Sequence, residues 1–423
     1  MADPDPDPDP DPDSDRDGAP VHSHGHLHTG EEPPLAPYRT RRVLAVAVGL
    51  FVVATLAGLA LLWPDGDRPA VIDEGFGFAE LVDATVVSAN IGPCSFSSAE
   101  TAFQCDLVRA RITSGPTEGD EIELEFPLDS GSVTLRSGDD VVLSYVPDAP
   151  PEARYQFSDF QRRTPLILLG LLFAAAVVVL GRLRGLLALA GLGVSLATLI
   201  GFVLPALLEG SSPLAVALVG SSVVALAALY LAHGFNERTT VAVLGTLTSL
   251  ALTGLLALFF VGLTDLTGLA GEEIGYLRAF AGELDFAGLL LAGIIIGSLG
   301  VLDDVTVTQV SAVWELHRAD PDMGRWSLYG AAIRIGRDHI ASTVNTLVLA
   351  YAGASLPLLL VFTEASRPLG DVVSGETVAI EVVRTLVGSI GLVASVPITT
   401  VLAVWVVTGR SAATARGGVS ADA

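Results

Sequence analysis

Apolar residues along this chain are gathered into long unbroken runs. After Arg39, Arg41 and Arg42, residues 43–63 carry no charged side chain. About twenty residues at 1.5 Å each match the roughly 30 Å hydrocarbon thickness of a bilayer, so this run predicts a membrane-spanning helix. Further apolar runs lie at 165–181, 185–208, 213–232, 240–263, 286 to about 307, 340–362 and 385–407, for about eight predicted spans. A cleavable signal peptide is the competing reading of the first run. Its apolar stretch is too long for that, more than thirty residues precede it, and WPDGD offers no small-residue cleavage pattern, so an anchor is expected.

The pattern changes between the first two runs. Within 64–163, the stretches DATVVSA, CDLVRARIT, DEIELEF and DDVVLSYV alternate apolar and polar residues and are broken by GPC, SGPTEGD and RSGDD. That predicts a small antiparallel sheet or barrel, for which an OB-like barrel is one form. The expected fold class is an α-helical polytopic membrane protein of about eight helices with a small external all-β domain between helices 1 and 2. The expected organisation is a polar tail (1–38), a first helix (43–63), the β domain (64–163), a seven-helix membrane domain (164–408) and a short tail (409–423).

Composition agrees: 51% of the 423 residues are hydrophobic and the mean hydropathy is +0.57, which excludes an ordinary soluble domain. The net charge of −24 is not one field over one surface, because the acid is concentrated in ADPDPDPDPDPDSDRD and in segments expected outside. Residues 2–37 join an Asp-Pro repeat, a histidine cluster and GEEPPLAP, with almost nothing to bury, and are expected to be disordered. The chain has no lysine, so every basic side chain besides His is arginine. Arginines cluster before run one and after runs two, four, six and eight, whereas the opposite connections hold mainly acids; by the positive-inside rule both termini are cytoplasmic and 64–163 is extracytoplasmic.

Ionisable groups within spans are costly and mark functional candidates. The clearest occur in LLLAGIIIGSLGVLDDVTVTQVSAVWELHRAD, where Asp303 and Asp304 sit at membrane depth or at its inner boundary. On one helix Asp304, Thr308, Ser311 and Glu315 follow at steps of four, three and four and form a polar stripe. Two adjacent carboxylates at low dielectric resist being ionised together, which suits a proton or cation relay. The alternative is that Asp303 caps a helix end at the headgroups and Asp304 pairs with a loop arginine. In the next run Arg334, Asp338, Ser342 and Asn345, with Thr346 beside them, form a second stripe at the same cytoplasmic end. The two stripes could face each other, pairing Asp304 with Arg337 or Asn345, as helix glue or as a pathway. His339 could add a group that titrates near neutral pH or serve as an interfacial hydrogen bonder. Gly293, Gly297 and Gly300 would allow close helix approach beside the acids.

Cys94 and Cys105 are the only cysteines, both in the external segment, and are read as a disulfide rather than free thiols. His22, His24, His26 and His28 alternate in the tail and could bind zinc, nickel or copper. No GK[ST] phosphate loop, HExxH or GxSxG motif occurs, and no nucleophile with a base is visible, so an enzyme is not expected, nor a cofactor. The expected partners are the lipid bilayer and an unidentified solute, ion or exported substrate, with no nucleic acid; oligomerisation stays open.

The external β segment after run one, QFSDFQRRTPLILLG, GSLGVLDDVTVTQVSAVWEL and GRDHIASTVNTLVLAYAGASLPLLL together resemble the YibE/F family of bacterial membrane proteins, over about residues 75–408. The resemblance implies a multipass plasma-membrane protein and supplies no reaction, substrate or catalytic residue. A looser likeness is to the export auxiliaries SecD and SecF and the proton-driven RND group, in which Asp303 or Asp304 would be the acid. Two functions follow as expectations: a secondary transporter or proton-coupled export factor using the acid pair, or a non-transporting scaffold or sensor whose external domain binds a ligand or partner.

Overall fold

The structure is a computed structural model and describes residues 38–66, 80–95, 97, 103–128, 133–271, 274–275, 277–278, 284–364 and 368–417. The first helix, α1, spans Tyr38–Leu61, starting on the arginines that precede the apolar run. Five strands follow: β1 (Glu80–Pro93), β2 (Gln104–Ile112), β3 (Glu121–Pro127), β4 (Asp140–Tyr145) and β5 (Tyr155–Phe160). They form one antiparallel sheet in the order β3-β2-β1-β4-β5, curled so that its edge strands β3 and β5 approach each other. The alternate residues Val82, Ala84 and Val86 of β1, Val108 and Ala110 of β2, and Val141 and Leu143 of β4 fill its inside, as period-two patterning requires. Cys94 and Cys105 are disulfide-bonded across the β1–β2 connection. The fifth strand, YQFSDF, lies within the expected β domain of 64–163 but is not among the alternating stretches that predict it.

The remaining elements are helical: α2 (Arg163–Thr198), α3 (Leu204–Leu208), α4 (Pro213–His233), α5 (Glu237–Leu263), α6 (Phe286–Ala319), α7 (Arg325–Ala354), α8 (Leu356–Glu364), α9 (Leu369–Ser374) and α10 (Glu376–Gly417). A π turn at Leu199–Val203 joins α2 to α3. Among the described residues, six helices are long and apolar enough to cross a membrane: Tyr38–Leu61, Arg163–Leu208, Pro213–His233, Glu237–Leu263, Phe286–Ala319 and Glu376–Gly409. The difference from eight arises at two places. The second and third expected spans are one unit, Arg163–Leu208, interrupted at Arg182, whose φ of 51° and ψ of −130° break the helix. A Cβ on Gly185 would overlap the Val177 carbonyl, so the chain bends back there: eight residues of straight helix would hold those groups about 12 Å apart. The seventh expected span, 340–362, is divided between the polar α7 and the short α8.

Charged side chains sort the helix ends into two groups. At one end Arg41 meets Glu237 at 3.5 Å, and Glu315 meets Arg238 at 2.9 Å and Arg318 at 3.5 Å, which brings together the starts of α1 and α5 and the end of α6. At the other, the Glu209 carboxylate accepts from the backbone N–H groups of Asp65 and Gly66, both at 3.0 Å, tying the exit of α1 to the end of α3. Glu376, at the start of α10, accepts from the Thr267 N–H and hydroxyl, both at 2.7 Å, and from the Gly268 N–H at 2.9 Å. Each carboxylate thus satisfies loop donors that hydrocarbon would leave unmet.

The largest core lies among α4, α5, α6 and α10, with Leu250, Ile294, Ile295 and Leu302 essentially inaccessible. Close approach depends on glycines other than those the sequence suggested. A Cβ on Gly391 of α10 would overlap the Thr253 hydroxyl, one on Gly245 would lie 2.5 Å from Thr399 Oγ1, and one on Gly336 would lie 2.5 Å from Val396. Gly293 and Gly300 face open space, and Gly297 has only the Tyr351 hydroxyl, 3.6 Å from such a Cβ. Overpacking a tight contact costs about 1–3 kcal/mol, whereas Gly→Ala at an open helical position gains about 0.5–1 kcal/mol. In thermal unfolding of the detergent-solubilised chain, Gly391→Ala should lower the midpoint and Gly293→Ala should leave it equal or slightly higher.

Candidate functional site

The adjacent acids of α6 fall on different faces, because consecutive helical residues are separated by about 100°. Asp304 is exposed, whereas Asp303 is half-buried and turned towards α5. On the same inward side, Thr306 is fully buried and Gln309 nearly so. The hydroxyls of Thr306 and Thr246 of α5 are 2.7 Å apart, the Thr306 hydroxyl lies 3.1 Å from the Asp303 carbonyl oxygen, and Thr246 lies against the Asp303 carboxylate. Asp303 Oδ1 is buried without a hydrogen-bond partner, and among the described residues no arginine or histidine forms an ion pair with this carboxylate.

Two turns on, the Gln309 amide donates to the Ala332 carbonyl of α7 at 3.0 Å and to Thr400 Oγ1 of α10 at 2.7 Å. Thr400 donates in turn to the Val396 carbonyl at 2.6 Å. Gln309 therefore fastens three helices with one side chain. Ser249 of α5 and Ser389 and Thr399 of α10 have buried hydroxyl oxygens with no partner among the described residues. Buried polar groups are ordinarily satisfied, so a cluster of open ones along the α5–α6–α10 contacts is where a proton, a water or a small cation would find ligands.

The two stripes expected to face each other both point outward. Asp304, Thr308 and Glu315 are exposed and Ser311 is half-buried; Arg334, Arg337, Asp338, Ser342, Asn345 and Thr346 are exposed. Among the described residues Asp304 forms no ion pair with Arg337 and no hydrogen bond with Asn345, and Glu315 instead meets Arg238 and Arg318. The physical reason is that α7 packs over α6 and α10 through Leu328, Ala332 and Gly336, which leaves its polar side free. His339 is half-buried, and its Nε2 has no hydrogen-bond partner. His22, His24, His26 and His28 lie outside the described residues. Among the described residues no group of three His, Cys, Asp or Glu could hold a metal ion.

The sequence reading passed over Thr246, Thr306, Gln309, Thr399 and Thr400. Their signal was present in TLTS, TVTQ and ITT within apolar runs, and Thr306 stands three residues beyond Asp303 on its own face.

A family model described as YibE/F-like protein matches residues 169–409. The chain belongs to this family. The match begins inside α2 and ends in α10, so the family's shared part holds Asp303, Thr246 and Gln309, and the sheet lies before it. No curated protein and no solved structure matches the chain significantly. Within this YibE/F-like unit, facing is directly measurable with single cysteines in the whole chain. Asp304→Cys should be modified by a membrane-permeant maleimide and Thr306→Cys should stay unmodified under the same conditions, as read by mass shift.

Proposed function

We propose that this YibE/F-like membrane protein is a secondary transporter or proton-coupled export factor of the bacterial plasma membrane, and that Asp303 is the residue that exchanges the coupling proton or cation. The observation that carries this reading is the buried Asp303 carboxylate with an open oxygen beside the Thr246–Thr306 hydroxyl pair. A relay acid has to change occupancy. A fixed arginine partner would hold it ionised, whereas hydroxyls that both donate and accept serve either state. Exchange would accompany a shift of α6 against α5 and α10, across the seam where Ser249 and Thr399 also lack partners.

The same reading takes the chain through the bilayer eight times with both termini in the cytoplasm. Support comes from the reversal at Arg182, which makes two crossings of Arg163–Leu208, from a further crossing by α7 with α8, and from the arginines gathered at one end of the bundle. The sheet would then be extracytoplasmic and OB-like, since five curled strands with approaching edges are the make-up of that partly open barrel. Such a domain also suits the second reading, a non-transporting scaffold or sensor that binds a ligand outside.

Proteoliposomes of the whole chain, loaded with a pH-sensitive dye and given a potassium diffusion potential, separate the two. Proton entry should exceed that of protein-free liposomes, Asp303→Asn should bring it down to that level, and Asp304→Asn should retain most of it. Equal flux in wild type and Asp303→Asn would leave the scaffold reading standing.

A further inference from the structure

One helix face of α7 combines polar character, membrane depth and exposure. Depth follows from its antiparallel packing on α6: the Tyr351 hydroxyl lies beside Gly297, Ile340 and Val344 pack on the cluster of Val305, Leu392 and Val396, and the Ala332 carbonyl receives the Gln309 amide. Asn345 therefore lies level with the stretch between Gly297 and Val305, some 20 Å into the bilayer from Phe286 at 1.5 Å per residue. It is exposed there, and its carboxamide makes no hydrogen bond to another described residue.

Arg334, Asp338, Ala341, Asn345 and Val348 follow one another at steps of four, three, four and three, and all five are exposed. That spacing is the seam of a left-handed helix pair, and a single Asn within such a seam sets its register. Ala341 leaves room for close approach. The outward face of α2 is apolar, with Leu168 and Leu172 exposed, whereas this face of α7 sets polar side chains where lipid favours apolar ones.

We propose that α7 packs against α7 of a second copy of this chain, about a two-fold axis along the membrane normal. Two copies inserted in the same sense close as a pair only about that axis, and it sets each residue opposite its own depth. Asn345 then meets Asn345, and a carboxamide is complementary to another because each donates and accepts. The same axis sets Arg334 against Arg334 and Asp338 against Asp338, and each like-charged pair is offset by the opposite charge one turn along the seam on the other copy. An unrelated partner would have to supply that arrangement independently. The contact lies on the side of α7 away from Gly336, which packs on Gln309 and Val396, and so it is independent of the Asp303 relay.

Oxidative cross-linking of the full chain in native membrane vesicles tests this. The chain's two cysteines are bonded to each other, which leaves an introduced cysteine as the sole free thiol. Asn345→Cys should give a product of twice the 43.7 kDa chain mass, whereas Leu172→Cys, exposed at membrane depth on α2, should not. Arg334→Asp should reduce the Asn345→Cys product, and the exchange R334D/D338R should restore it. Equal yields at the two cysteine positions, a product with a chain of another mass, or no restoration by the exchange overturns the proposal.

Discussion

Hydrocarbon supplies no water to a polar group, and the arrangement of this chain follows from how each such group is answered. Backbone groups within the spans are answered by the helices themselves. Where a helix ends, a side chain takes over: Asp285 accepts from the Gly288 N–H, Asn236 from the Thr239 N–H, and Glu209 and Glu376 from loop donors. Many of the hydroxyls within spans close on the carbonyl four residues back, as do Ser298 on Ile294 and Thr308 on Asp304. Among the described residues, the buried groups left over after this accounting include Asp303, Ser249, Ser389 and Thr399 along the α5–α6–α10 contacts, and Ser221 and His339 elsewhere. An exposed surface could leave them to solvent, but a helix interface cannot.

This constraint also explains which features the sequence revealed. Length and apolarity mark a span whatever surrounds it, so the runs that became α1, α4, α5 and the apolar half of α6 were legible from composition alone. The facing of a residue was not, because a membrane helix is apolar towards lipid and towards its neighbours alike, and periodicity no longer separates inside from outside. Asp303 and Asp304 are chemically identical and adjacent. Only the position of α5 makes one of them an interior group beside Thr246 and leaves the other exposed. The glycines fail for the same reason: Gly293 and Gly297 have the spacing of a packing motif, yet the contacts belong to Gly245, Gly336 and Gly391, whose partners are distant in sequence.

The sheet was more legible because its strands have one apolar and one polar face. Alternation in β1 to β4 separates core from surface, and Arg109 with Glu123 and Arg111 with Glu121 pair on the outer face at 3.3 Å and 2.7 Å. Being exposed, those pairs contribute little to stability. The hydrogen bond from Arg111 still holds Glu121 below its usual carboxylate range. The fifth strand escaped because QRRTPLILLG follows YQFSDF without a turn residue, and an apolar segment against a short strand hides the boundary.

Pro397 interrupts the hydrogen-bond ladder of α10, and it stands between Val396, which packs on Gly336, and Thr400, which receives the Gln309 amide. A proline inside a helix frees the carbonyl four residues before it and makes bending easier there. Pro397, the tie through Gln309 and the tight contact at Gly336 therefore coincide at one level, two turns from Asp303 along α6. In the proposed relay, a change in what Asp303 holds would alter its contact with Thr246, and the α6 backbone would carry it to Gln309, whose amide joins α6 to both α7 and α10.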